Sequence, residues 1–210
     1  MSPVPDDNLQ VRASLRNAPK IAEQIGHMNA AWAAVEFRIF ALFCLLSDTP
    51  IPIARAAFYS QMSTGGRIAI LKAVAEVVLR KRRGEGTNSD FKRLNRLLGA
   101  IGEISGERNK YVHDPWAGHA EASPRTFQLR LNKKGVHGQY QYVSQSAVAR
   151  LTERIETKRG ALYRLYHRLA PKIPALHEKL VELRSLSLAF ASPDPRPKRK
   201  KAKRAHQPRS

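Results

Sequence analysis

Residues 17–47 read NAPKIAEQIGHMNAAWAAVEFRIFALFCLLS, and their pattern decides the fold class. Ile21, Ile25, Met28, Trp32, Val35, Ile39, Leu42 and Leu46 step by four and three throughout, the seam of a long helix. Alanines, Phe37, Phe40 and Cys44 widen the apolar face, so this helix is expected at the centre of a helical bundle, covered on more than one side. Glu36 and Arg38 interrupt the apolar run, which favours a core helix over a membrane span. Cys44 is the single cysteine; it cannot form an internal disulfide and reads as a small buried hydrophobe.

The stretch before this helix, residues 1–16, carries Pro3, Pro5, Asp6 and Asp7 with few large apolar groups. It reads as a flexible leader without the apolar run of a secretory signal, so a cytoplasmic protein is expected. After the helix, Asp48, Thr49, Pro50 and Pro52 break the pattern, and a short helical piece follows near Ala54 to Tyr59. Ser63-Thr64-Gly65-Gly66 is a start signal for a second long helix reaching about Arg82, with Ile68, Leu71, Val74, Ala75 and Val78 inward. A polar turn at Gly84 to Asn88 closes it, and Asn88 or Ser89 is placed to cap a third helix extending to about His113.

The period then changes from helical to alternating. Phe127, Leu129 and Leu131, then Tyr140 and Tyr142, flank the turn Asn132-Lys133-Lys134-Gly135, which predicts a β-hairpin over about 126–143. Ser144 or Ser146 is placed to cap a further helix with Val148, Leu151, Ile155, Leu162, Leu165 and Leu169 on one seam. Pro171 and Pro174 end it, and a last helix is expected to carry Leu176, Leu180, Leu183 and Phe190. The expected class is therefore all-α: one helical domain over 17–191 with an inserted β-hairpin, then a disordered basic tail over 192–210.

Charge narrows the function. Against 17 acidic residues stand 37 basic ones, a net +20, which implies a polyanionic partner. The tail holds eight basic residues against Asp194, so +7 lies there and +13 remain in the folded part. The helices lack a clean split into a basic and an apolar face, so nucleic acid is favoured over a membrane surface. Candidate phosphate contacts are Lys110, Arg130, Lys133 and Lys134 in the folded part and Lys198, Arg199, Lys200 and Lys201 in the tail. The sequence has no second cysteine and no His-x-x-x-His spacing, so neither a metal site nor a cofactor is expected.

The third helix carries the chemistry. Asn95, Gly99, Gly102, Gly106, Asn109 and His113 form a stripe of small and polar groups, and each glycine costs a helix about 1 kcal/mol relative to alanine. Close approach of another helix or of a substrate is the expected reason. The stripe ends in Glu107-Arg108-Asn109-Lys110-Tyr111-Val112-His113-Asp114-Pro115-Trp116.

An arginine followed after four residues by histidine, with a polar residue next to the arginine at the carboxyl end of a long helix, resembles the motif of the HEPN superfamily. That resemblance implies a small helical bundle and a metal-independent endoribonuclease of toxin, antiphage or RNA-processing type, with active sites formed where two copies of a homodimer meet. The matching positions are Arg108, Asn109 and His113. It also implies RNA as substrate and, in a toxin setting, an antitoxin partner. Histidine suits proton transfer between the 2′-hydroxyl and the leaving oxygen; arginine suits the charge on the phosphorane. Glu36, within the apolar face of the first helix, is expected either to orient Arg108 or to form a structural ion pair. A competing reading makes the chain a noncatalytic nucleic-acid-binding or regulatory module, with Arg108 paired to Glu36 or Glu107. A third makes it a scaffold whose glycine stripe serves only dimerisation.

Overall fold

Helix α1 (Pro19–Ser47) follows the expected seam, and from Ile39 to Leu46 every side chain is buried. A helix buried around its whole circumference has to be covered on all sides. The computed structural model describes residues 9–12, 15, 18–80, 85–119, 126–131 and 138–172, and within them four helices supply the cover. These are α2 (Ile51–Tyr59), α3 (Thr64–Ala75), α4 (Glu85–His113) and α5 (Gln145–Leu169), all of which touch α1. The chain is mostly helical. By length and composition α1 is apolar enough to cross a membrane; here that composition serves the packing of its carboxyl-terminal half.

Local chemistry sets the helix ends. Pro19 opens α1 with the backbone angle that the first turn needs. Asp48 closes it in the left-handed region at φ 51°, a conformation that aspartate tolerates better than most residues, and Pro50 prevents continuation. Phe40 and Phe43 of α1 stack at 5.4 and 5.5 Å on Phe58 of α2, which pins this short helix to the core. Ser63 caps α3 through its side chain, accepting from the Gly66 amide at 3.1 Å. Beyond Ala75 the helix does not stay regular, and residues 81 and 82 of the expected span lie outside the described residues. The helix widens into a π-helical segment, Glu76–Arg80, spanned by an Arg80–Glu76 ion pair of 2.6 Å.

Helix α4 starts earlier than expected, at Glu85, so Asn88 and Ser89 lie inside it and do not cap it. The glycines at 84 and 86 suggested a turn, but tertiary anchoring outweighs their poor propensity. The anchor is an ion pair of 2.9 Å between Arg168 of α5 and the buried Asp90. At the other end, Arg154 pairs with Glu107 at 2.7 Å, so α4 and α5 run antiparallel. Arg38 of α1 stacks over Tyr163 of α5, and residues 24–31 lie beside 149–159, so α1 and α5 run in the same direction. Leu94, Leu98, Ile101, Leu151, Ile155 and Leu162 fill the space between the three long helices.

Of the two serines placed to cap α5, Ser144 does so, accepting from the Ala147 amide at 3.2 Å. Among the described residues Ser146 bonds only the Ser144 hydroxyl, at 3.0 Å. Ser144→Ala is therefore expected to cost about 1 kcal/mol of unfolding free energy. Ser146→Ala should stay within about 0.5 kcal/mol. Urea midpoints of the two variants check this, and equal losses would contradict the assignment.

A four-stranded antiparallel sheet of order β1-β2-β3-β4 completes the fold. Strands β3 (Thr126–Leu131) and β4 (Gly138–Val143) pair from Thr126↔Val143 to Leu131↔Gly138. Two further strands were not expected. Residues Leu9–Arg12, inside the stretch read as a leader, form β1 and pair with β2 (Trp116–His119), which follows directly on α4. The helix over 176–190 and the tail over 192–210 lie outside the described residues.

Candidate functional site

The last turns of α4 divide their side chains between core and surface. Tyr111 is buried and Arg108 half-buried, whereas Asn109, Lys110 and His113 are exposed. Five residues of helix amount to a rise of about 7.5 Å, and leave about 140° around the axis between Arg108 and His113. Asn109 stands between them, one turn before His113 on the same face.

Arg108 is held by two amides. Its Nε and Nη2 donate to the Asn29 Oδ1 of α1 at 3.2 and 2.7 Å, and its Nη1 donates to the Asn109 Oδ1 at 3.1 Å. Three of the five guanidinium donors are thus committed to neutral acceptors. Burial pulls the pKa of Arg108 below its ordinary value, and the Glu36 carboxylate pushes it the other way. The group stays cationic in any case. Asn29 was missed in the sequence, although it stands two helical turns before Glu36 on the same side of α1.

The two acids offered as partners for Arg108 are engaged elsewhere. Glu36 accepts from Arg67 Nη1 at 3.0 Å and from the Thr64 hydroxyl at 3.1 Å, so its hydrogen bonds tie α1 to the start of α3. It does not bond Arg108. Glu107 takes Arg154. Arg108 therefore has no carboxylate hydrogen-bonded to it among the described residues.

The sheet is fastened to the same turn. Gln128 of β3 is fully buried and its Nε2 donates to the Lys110 carbonyl, which also accepts from the Asp114 amide at 3.1 Å. Arg130 lies on β3 opposite Gln139, and its side chain is outside the described residues, as are Lys133, Lys134, Lys198, Arg199, Lys200 and Lys201. A Cβ at Gly99, Gly102 or Gly106 would meet nothing within 4 Å. Among the described residues, no helix of the same chain closes on that face. Nor, among them, is any group of three or more His, Cys, Asp or Glu arranged to hold a metal ion.

Two grooves flank α5. One, of about 580 Å³, lies between α4 and α5 and is lined by Arg93, Arg96, Lys158 and Arg168 with Asp90. The other, of about 520 Å³, lies between α1 and α5 and carries Glu153 and Glu156 beside His27 and Arg159. Neither is lined by Arg108, Asn109 or His113. Comparison of the chain with protein-family models, with curated proteins and with solved structures finds no match.

Proposed function

We propose that the chain is a metal-independent endoribonuclease of HEPN type, acting as a homodimer. One observation supports this above the others: Arg108 is hydrogen-bonded to neutral amides and not to a carboxylate, and an exposed histidine follows five residues later at the end of the same helix. In the proposed reaction the 2′-oxygen of the substrate attacks the adjacent phosphorus, forming the O2′–P bond and breaking P–O5′. The imidazole of His113 accepts the 2′-hydroxyl proton and, as imidazolium, returns a proton to the departing 5′-oxygen, acting first as base and then as acid. Arg108 stabilises the charge on the phosphorane oxygens, and Asn109 positions Arg108. The outward-facing glycine stripe is where a second copy would bring its own motif alongside. A toxin or antiphage role, with an antitoxin partner, belongs to this same reading.

A noncatalytic nucleic-acid-binding module is the second reading, favoured by the cations that line the groove between α4 and α5. Incubating the protein with mixed RNA in excess EDTA separates the two. The nuclease should leave 2′,3′-cyclic phosphate and 5′-hydroxyl ends. Intact RNA, bound with a steep dependence on salt, would establish the binding module instead.

A further inference from the structure

We propose that the groove between α4 and α5 binds the phosphodiester backbone of single-stranded nucleic acid through Arg93, Arg96, Lys158 and Arg168. This site is separate from the Arg108 motif, and the proposal stands whether or not the chain cuts RNA. Arg93 and Arg96 lie three residues apart on one face of α4. Lys158 and Arg168 lie ten residues apart on α5, about 15 Å along its axis. The cations thus form two facing rows, and a polyanionic strand running along the groove meets both. Ala100 and Ala161 are among the lining residues, and their small side chains take up little of the groove. Packed helices lie about 8–10 Å apart, so the groove suits one strand, not a duplex.

Among the described residues one acid lines this groove, and it is buried. Asp90 is only 1% exposed and its Oδ1 lies 2.9 Å from Arg168 Nε, while the Arg168 side chain is half exposed. With half of its side chain in solvent, the Arg168 guanidinium can still meet a phosphate. The groove on the opposite side of α5 makes the contrast. It is of similar size, but Arg159 is paired there with Glu156 at 2.7 Å and Glu153 stands beside them, so it repels a polyanion. Size does not distinguish the two grooves; charge does.

The test uses the full chain and a fluorescent 2′-O-methyl oligouridylate, which cannot be cut by 2′-oxygen attack, with a deoxy oligothymidylate of equal length. Anisotropy is read across a series of KCl concentrations. The triple variant R93Q/R96Q/K158Q should bind both probes at least about tenfold more weakly, and its logarithmic salt slope should shrink by about 2, the loss of three phosphate contacts at about 0.7 each. The control K20Q/R55Q/R150Q removes the same charge from positions outside the groove, and should lose less than about threefold with a slope nearly unchanged. Equal losses in the two variants, or none in the first, would overturn the proposal. So would competition by inorganic tripolyphosphate as strong as by the oligonucleotide at equal phosphate concentration, which would assign the groove to small polyphosphates. If the triple variant does not fold, acetylation of Lys158 in the unaltered chain decides: bound oligonucleotide should protect it, and an unprotected Lys158 defeats the idea.

Discussion

His113→Ala is expected to lower RNA cleavage in EDTA by about 10²- to 10⁴-fold, the range that a positioned acid or base contributes. The rest of the molecule should not notice. His113 is exposed at the end of α4, and no hydrogen bond or ion pair of its side chain is found among the described residues. Circular dichroism, urea midpoint and affinity for an uncleavable RNA should therefore match the unaltered protein. Loss of rate with intact binding is the signature of a proton-transfer group; a variant that cuts at full rate removes the nuclease proposal.

Removing the guanidinium should have an effect of comparable size. Arg108→Ala is expected to slow cleavage by about 10²- to 10³-fold, the usual loss when one preorganised donor to a developing oxyanion is taken away. It should also destabilise the fold by about 1–3 kcal/mol, because the half-buried Asn29 amide loses its partners. Those two losses have different origins, and Asn29→Asp separates them. A carboxylate at position 29 accepts from the same Nε and Nη2 but supplies a negative charge, so Arg108 becomes half of an ion pair. The Asn29→Asp protein should be at least as stable as the original while cutting RNA more slowly. If it is stable and equally active, Arg108 serves only to join α1 to α4.

The helical class was legible because burial repeats with a period that the letters display. Seams at Ile21 to Leu46 and at Val148 to Leu169 end up against one another, and apolar spacing sustained over that length fits a helix and little else. Strand pairing between distant segments leaves no such trace. Leu9–Arg12 and Trp116–His119 are four residues each, and they find one another across more than a hundred positions of chain. The start of α4 was misread because glycine and asparagine letters report local preference, whereas Asp90 is fixed by Arg168 from another helix. The motif itself could be quoted from the sequence. Its environment could not: that Glu36 belongs to Arg67 and Arg108 to Asn29 depends on which faces of α1 meet α3 and α4.

The bond between Asn29 and Arg108 joins positions 79 residues apart. The posture of this guanidinium is thus a property of the assembled domain and not of the peptide that bears it. Transplanting the segment from 107 to 113 onto a foreign helix would carry the letters without the grip that aims them. Conversely, any ligand or lesion that slides the first helix lengthwise, even by part of a turn, would let go of the arginine while leaving its own helix untouched.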